Sequence, residues 1–93
     1  MIIRVDGKSY KLDWRGIAVL LSLRWVRFNA LPLTRLQAVE PDIGKLKALI
    51  NDLKAMGLVG ELTVKRSIIV YLTENGAKVA EKLETIAREA QLI

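Results

Sequence analysis

Between residues 33 and 76 the hydrophobic periodicity of the chain changes from helical to alternating and back to helical, and that order limits the folds open to it. Leu33–Val39 reads as a short helix, Glu40-Pro41-Asp42 as a turn, and Ile43–Met56 as a longer helix that Gly57 stops. Pro41 keeps the two helices from merging, because its ring removes a backbone donor and crowds the preceding turn. Val59–Val64 and Ser67–Leu72 then alternate as two antiparallel strands around Lys65-Arg66, and Thr73 caps a closing helix. The predicted class is α+β: two helices about a turn, a β-hairpin behind them, and a C-terminal helix.

In the second helix of that unit Ile43, Leu46, Leu49, Ile50, Leu53 and Met56 recur at helical spacing, with Asp42 placed to cap the first turn. The open side then carries Gly44, Lys45, Lys47, Ala48, Asn51 and Lys54. Lys45 and Lys47 suit phosphate or guanine, Gly44 and Ala48 would allow close approach to a groove, and Asn51 can pair with adenine. Lys54 reads as an ordinary solvated residue. Arg35 is expected to be exposed on the preceding short helix, while Leu36 and Val39 point inward. At the hairpin tip Lys65 and Arg66 can meet backbone phosphate or the minor groove. The candidate DNA-binding set is therefore Arg35, Gly44, Lys45, Lys47, Ala48, Asn51, Lys65 and Arg66. The plain alternative is a solvated helix face and a soluble turn.

Ahead of this unit, Ile2–Val5 and Tyr10–Leu12 flank Asp6-Gly7, a strong hairpin signal because Gly tolerates the positive φ of a tight turn. Asp13 is expected to cap a first helix over 13–28. One face of it carries Trp14, Ile17, Ala18, Leu21, Trp25 and Phe28, and its flank Val19, Leu20, Leu23 and Val26, which is wider than one core-facing stripe. Either a second subunit covers the extra face or the N-terminal hairpin does. The closing helix, assigned to 73–92, has a stripe of Ala77, Ala80, Leu83, Ile86 or Ala87 and Ala90, with Glu74/Lys78 and Glu84/Arg88 spaced for exposed ion pairs. The expected homodimer surface combines both helices through Trp14, Val19, Leu20, Leu23, Val26, Leu83, Ile86 and Ala90.

Ninety-three residues suit one domain, divided as a hairpin at 1–12, the first helix at 13–28, the helix pair at 33–57, the second hairpin at 58–72 and the last helix at 73–92. The formal charge is +5, and its placement is uneven: residues 24–66 hold eight basic and four acidic groups, residues 67–93 three and four. An anionic partner fits that half of the chain. Cysteine and histidine are absent, which removes thiol nucleophiles, imidazole bases and the usual soft zinc ligands. Asp6, Asp13, Glu40, Asp42 and Asp52 show no catalytic spacing, so neither an enzyme nor a cofactor or metal is expected. No cleavable signal pattern is visible, and the apolar run Gly16–Leu23 is too short to span a bilayer, so the expectation is a cytoplasmic protein without a membrane partner.

Two fragments carry a family resemblance. Leu53-Lys54-Ala55-Met56-Gly57-Leu58-Val59 looks like the Leu-x-x-x-Gly-Leu-[Ile/Val] signature, and Tyr71-Leu72-Thr73-Glu74-Asn75-Gly76 like the Leu-Thr-x-x-Gly junction, of winged-helix transcription regulators of the MarR and PadR type. The resemblance spans about Leu33 to Leu83, and the chain is similar in size to the small winged-helix proteins of archaea and their viruses. It implies a winged helix-turn-helix whose homodimer binds a pseudo-palindromic duplex with two recognition helices in successive major grooves. The chain departs from the pattern where Ala48 stands at a position commonly held by Arg, with lysines at 45 and 47, and in a shorter wing. Three functions follow: a sequence-specific double-stranded DNA-binding regulator, a weakly specific architectural DNA binder, or a winged helix that contacts only protein. No residue pattern identifies a small-molecule effector.

Overall fold

The structure is a computed structural model that describes residues 1–91. Strands β1 (Ile2–Val5) and β2 (Lys8–Lys11) form the N-terminal hairpin, and its turn takes positive φ at both Asp6 and Gly7, 51° and 78°. Helix α1 (Trp14–Trp25) follows, its first turn capped by Asp13 Oδ1, which accepts from the Gly16 amide at 2.9 Å. A 3₁₀ turn at Arg27–Asn29 leads into strand β3 (Ala30–Pro32), and a 3₁₀ helix at Leu33–Ala38 precedes helix α2 (Ile43–Ala55). Strands β4 (Val59–Val64) and β5 (Ser67–Leu72) and helix α3 (Glu74–Glu89) complete the α+β fold. The second sheet has the antiparallel order β3-β5-β4.

Several sequence expectations are corrected. The first helix ends at Trp25 rather than Phe28: Phe28 and Asn29 adopt φ of 65° and 52°, and the Asn29 side-chain amide donates to the carbonyls of Leu23 and Arg24, each at 3.1 Å. Those bonds occupy carbonyls that a helix end leaves unpaired. The chain then pairs with β5 as a third strand, which the sequence did not announce because Pro32 is compatible only with an edge position. Residues 33–38, read as a short helix, wind as 3₁₀, as short helical segments commonly do. The last helix ends at Glu89, and position 92 of its assigned span lies outside the described residues.

The deeply buried side of α1 is the flank rather than the face that carries the aromatics. Gly16, Val19, Leu20 and Leu23 are buried, whereas Trp14, Trp25 and Phe28 are 64%, 52% and 87% exposed. Helix α3 packs along α1 and contributes buried Val79, Ala80 and Leu83, and the hairpin adds Ile3 and Tyr10 to the same core. The side of α1 that carries Val19, Leu20 and Leu23 is therefore covered within one chain, while Trp14 and Trp25 stay exposed. Val19, Leu20, Leu23 and Leu83 are core residues and present no surface to a second subunit; Val26 and Ile86 are half-buried, and only Trp14 and Ala90 of the expected interface are exposed. Lys78 does not pair with Glu74 but reaches Asp6 in the hairpin at 3.0 Å, while Arg88 and Glu84 meet at 3.4 Å.

Helix α2 buries Leu46, Ile50 and Leu53, half-buries Leu49 and Met56, and leaves Ile43 43% exposed. It stops at Gly57, whose φ of 77° is easy only for glycine. No helix among the described residues is long and apolar enough to cross a membrane.

Candidate nucleic-acid interface

Helix α2 is held by its N-terminal turn. Asp42 Oδ1 accepts from the Lys45 amide at 2.9 Å, and Glu40, only 6% exposed, accepts from the Asp42 amide at 3.3 Å. The other Glu40 oxygen meets Arg15 Nε of α1 at 2.8 Å, and Gln37 Nε2 donates to the Pro41 carbonyl at 3.1 Å. A buried carboxylate needs such partners to offset its lost hydration. Arg15 also lies over the Trp14 ring, 5.2 Å from its centroid. Sequence reasoning read Glu40 only as part of a turn. Nothing in the sequence around Glu40 says that Arg15 would face it.

Thus fixed, α2 presents Gly44, Lys45, Lys47, Ala48 and Asn51 to solvent, and Arg35, Lys65 and Arg66 are exposed as well. These eight residues do not form one cluster. Positions 45 and 47 are two residues apart, hence about 200° around the helix, so their side chains leave from opposite flanks. Gly44, Ala48 and Asn51 lie between them as a crest of small or neutral side chains.

Lys47 faces the second hairpin. A groove runs between α2, the 3₁₀ helix and the β4–β5 tip, lined by apolar Pro32, Leu33, Ile43 and Ile68 and by polar Thr34, Lys47, Arg66 and Ser67. It has two cations, two hydroxyls and no acid. At the tip Lys65 takes φ of 56° in the two-residue turn, and both Lys65 and Arg66 are exposed. Lys45 borders a different depression with Asp13, Arg15, Glu40 and Asp52, where acidic groups outnumber basic ones. Lys54 lies 3.7 Å from Glu61. The structure therefore joins Lys47 to Arg66 and separates both from Lys45.

The shifted titrations lie elsewhere. Trp25 Nε1 donates to Glu84 Oε2 at 2.6 Å, and this bond, with Arg88 and Arg24 nearby, holds the Glu84 carboxyl below the ordinary glutamate range. The hydrogen bond to Asp6 raises Lys78. Among the described residues no three or more of the acids stand together as a metal site. No protein-family model and no curated protein matches the chain.

Proposed function

We propose that this chain is a winged helix-turn-helix protein of the MarR and PadR type that binds double-stranded DNA as a transcription regulator. Helix α2 enters the major groove, and the β4–β5 tip rests on the backbone or in the minor groove. The observation that carries the reading is the groove that Lys47 and Arg66 both line, together with apolar side chains and no acid. Such a groove accepts a run of phosphates, and the guanidinium of Arg66 can hold a phosphate through two bonds.

A weakly specific architectural role is the second reading, and the crest of α2 favours it. Gly44 and Ala48 offer no hydrogen bond to a base edge, leaving Asn51 as the one side chain of the crest able to read adenine. The lysines on either flank suit the two backbones that wall a major groove. Most of the affinity would then be independent of sequence.

Selection from a pool of randomised duplexes, followed by affinity measurements across a salt series, tests both. The regulator reading expects a recovered motif bound far more tightly than random DNA. Uniform binding with a steep salt dependence assigns the architectural role, and absence of binding at low salt overturns both in favour of a protein-contacting winged helix.

A further inference from the structure

Open strand edges invite pairing with another chain, and most proteins guard them with prolines, charges or brevity. Four edges are open to inspection among the described residues, and three are guarded. Strand β3 has three residues and ends in Pro32. Strand β2 carries Lys8 and Lys11, and β1 carries Arg4, whose carbonyl accepts from Lys82 Nζ at 2.7 Å. Strand β4 differs. Over Val59–Val64 it holds six residues in unbroken register with β5, without proline or bulge; its one charge, Glu61, is engaged by Lys54 of α2 at 3.7 Å, and residues 61–64 are exposed.

The sheet face beyond the core adds to this. Strand alternation places Gly60, Leu62 and Val64 of β4 beside Tyr71 and Ile69 of β5 and Pro32 of β3 on the outer face. None is charged, and Leu62 and Val64 are each 49% exposed. In a chain of net charge +5, an uncharged face is where a second copy approaches with least repulsion.

We propose that β4 pairs antiparallel with β4 of a second copy, so that two three-stranded sheets become one. The twofold contact is isologous, each strand supplying the edge that the other lacks. Charge and the pleat limit the register. Opposed residues must point to the same face, so a residue of β4 lies on the twofold axis. Centring on Glu61 would oppose two carboxylates; centring on Leu62 instead pairs leucine with leucine, Glu61 with Thr63 and Gly60 with Val64. The two-residue turn makes Val64 and Ser67 a hydrogen-bonded pair, so by alternation Leu62 bonds to β5 while Glu61 and Thr63 turn their backbone groups to the open edge. The two Leu62 residues then form a non-hydrogen-bonded pair with Cα atoms about 4.5 Å apart.

Antiparallel pairing also sends the two Lys65-Arg66 tips in opposite directions. The pairing itself stands apart from the DNA-binding reading.

The test needs no DNA, so its outcome is independent of that reading. Leu62→Cys introduces the chain's first thiol, at a spacing within disulfide range. Under mild oxidation at micromolar concentration it should form a covalent dimer on the order of a hundredfold faster than Thr85→Cys, placed on the exposed face of α3, because pairing raises the effective thiol concentration. Wild-type protein should sediment as a dimer, and Leu62→Lys, altering an exposed side chain, should sediment as a monomer with an unchanged circular dichroism spectrum. A wild-type monomer, equal cross-linking at both positions, or a dimer that Leu62→Lys leaves intact would each overturn the proposal.

Discussion

Gly76 lies directly against the carbonyl of Leu58: a β-carbon at position 76 would overlap the Leu58 oxygen. That oxygen also accepts from the Thr73 amide at 3.1 Å, and Thr73 Oγ1 donates to the Gly57 carbonyl at 2.6 Å while accepting from the Gly76 amide at 3.0 Å. The first turn of α3 is thereby seated on the loop that leaves α2. Two sequence fragments separated by fourteen residues, Gly57-Leu58 and Thr73-x-x-Gly76, are halves of one junction.

Gly76→Ala should therefore destabilise the fold by about 1–3 kcal/mol, the usual range for overpacking, because the obstructing atom belongs to the backbone and cannot rotate aside. Urea unfolding followed by tryptophan fluorescence measures it. A loss below a few tenths would show that the α3 junction relaxes freely.

Arg15→Ala removes the partner of buried Glu40. Loss of one member of a fully buried pair costs about 3–5 kcal/mol. The Arg15 side chain is 42% exposed, so water can reach the site and the expected loss is smaller, about 1–2 kcal/mol. Comparison with the Arg15→Ala, Glu40→Gln double variant separates the charge from the packing, since neutralising the stranded acid should recover part of the loss.

The Trp25–Glu84 bond makes stability depend on acid. Because the Glu84 carboxyl is held below its ordinary value of 4.5, folding favours its charged form. This contribution is fully present above that value and is lost as pH falls through the folded-state value. The advantage of wild type over Glu84→Gln in urea midpoint should be largest near neutrality and shrink below about pH 4.5. A difference independent of pH would assign the effect to packing alone.

For DNA binding, Lys47→Ala and Arg66→Ala should each weaken affinity across sequences and lower the salt slope by about one. Lys45→Ala should do less, because Asp13, Glu40 and Asp52 border the same depression and already offset its charge. Fluorescence anisotropy over a salt series checks the order, and an equal effect at 45 and 47 would contradict the groove as the phosphate site.

The local elements were legible because each is written in a few adjacent residues. Asp13, Asp42 and Thr73 cap the helices they precede, Asp6-Gly7 turns the first hairpin, Gly57 ends α2, and both strands of the second hairpin fall where alternation begins and ends. The exposure of Lys47, Asn51 and Arg66 followed from the same periodicity. What periodicity could not decide is which apolar surface meets which. Helix α1 has apolar residues on two sides, and only the docking of α3 and the N-terminal hairpin selected Val19, Leu20 and Leu23 as interior while leaving Trp14 and Trp25 outside. The Arg15–Glu40 pair, the Trp25–Glu84 bond and the groove shared by Lys47 and Arg66 likewise join residues far apart in the chain. Caps and turns depend on neighbours along the backbone and so belong to the sequence, whereas the core side of α1 and the meeting of Lys47 with Arg66 depend on how whole elements pack and so belong to the tertiary structure.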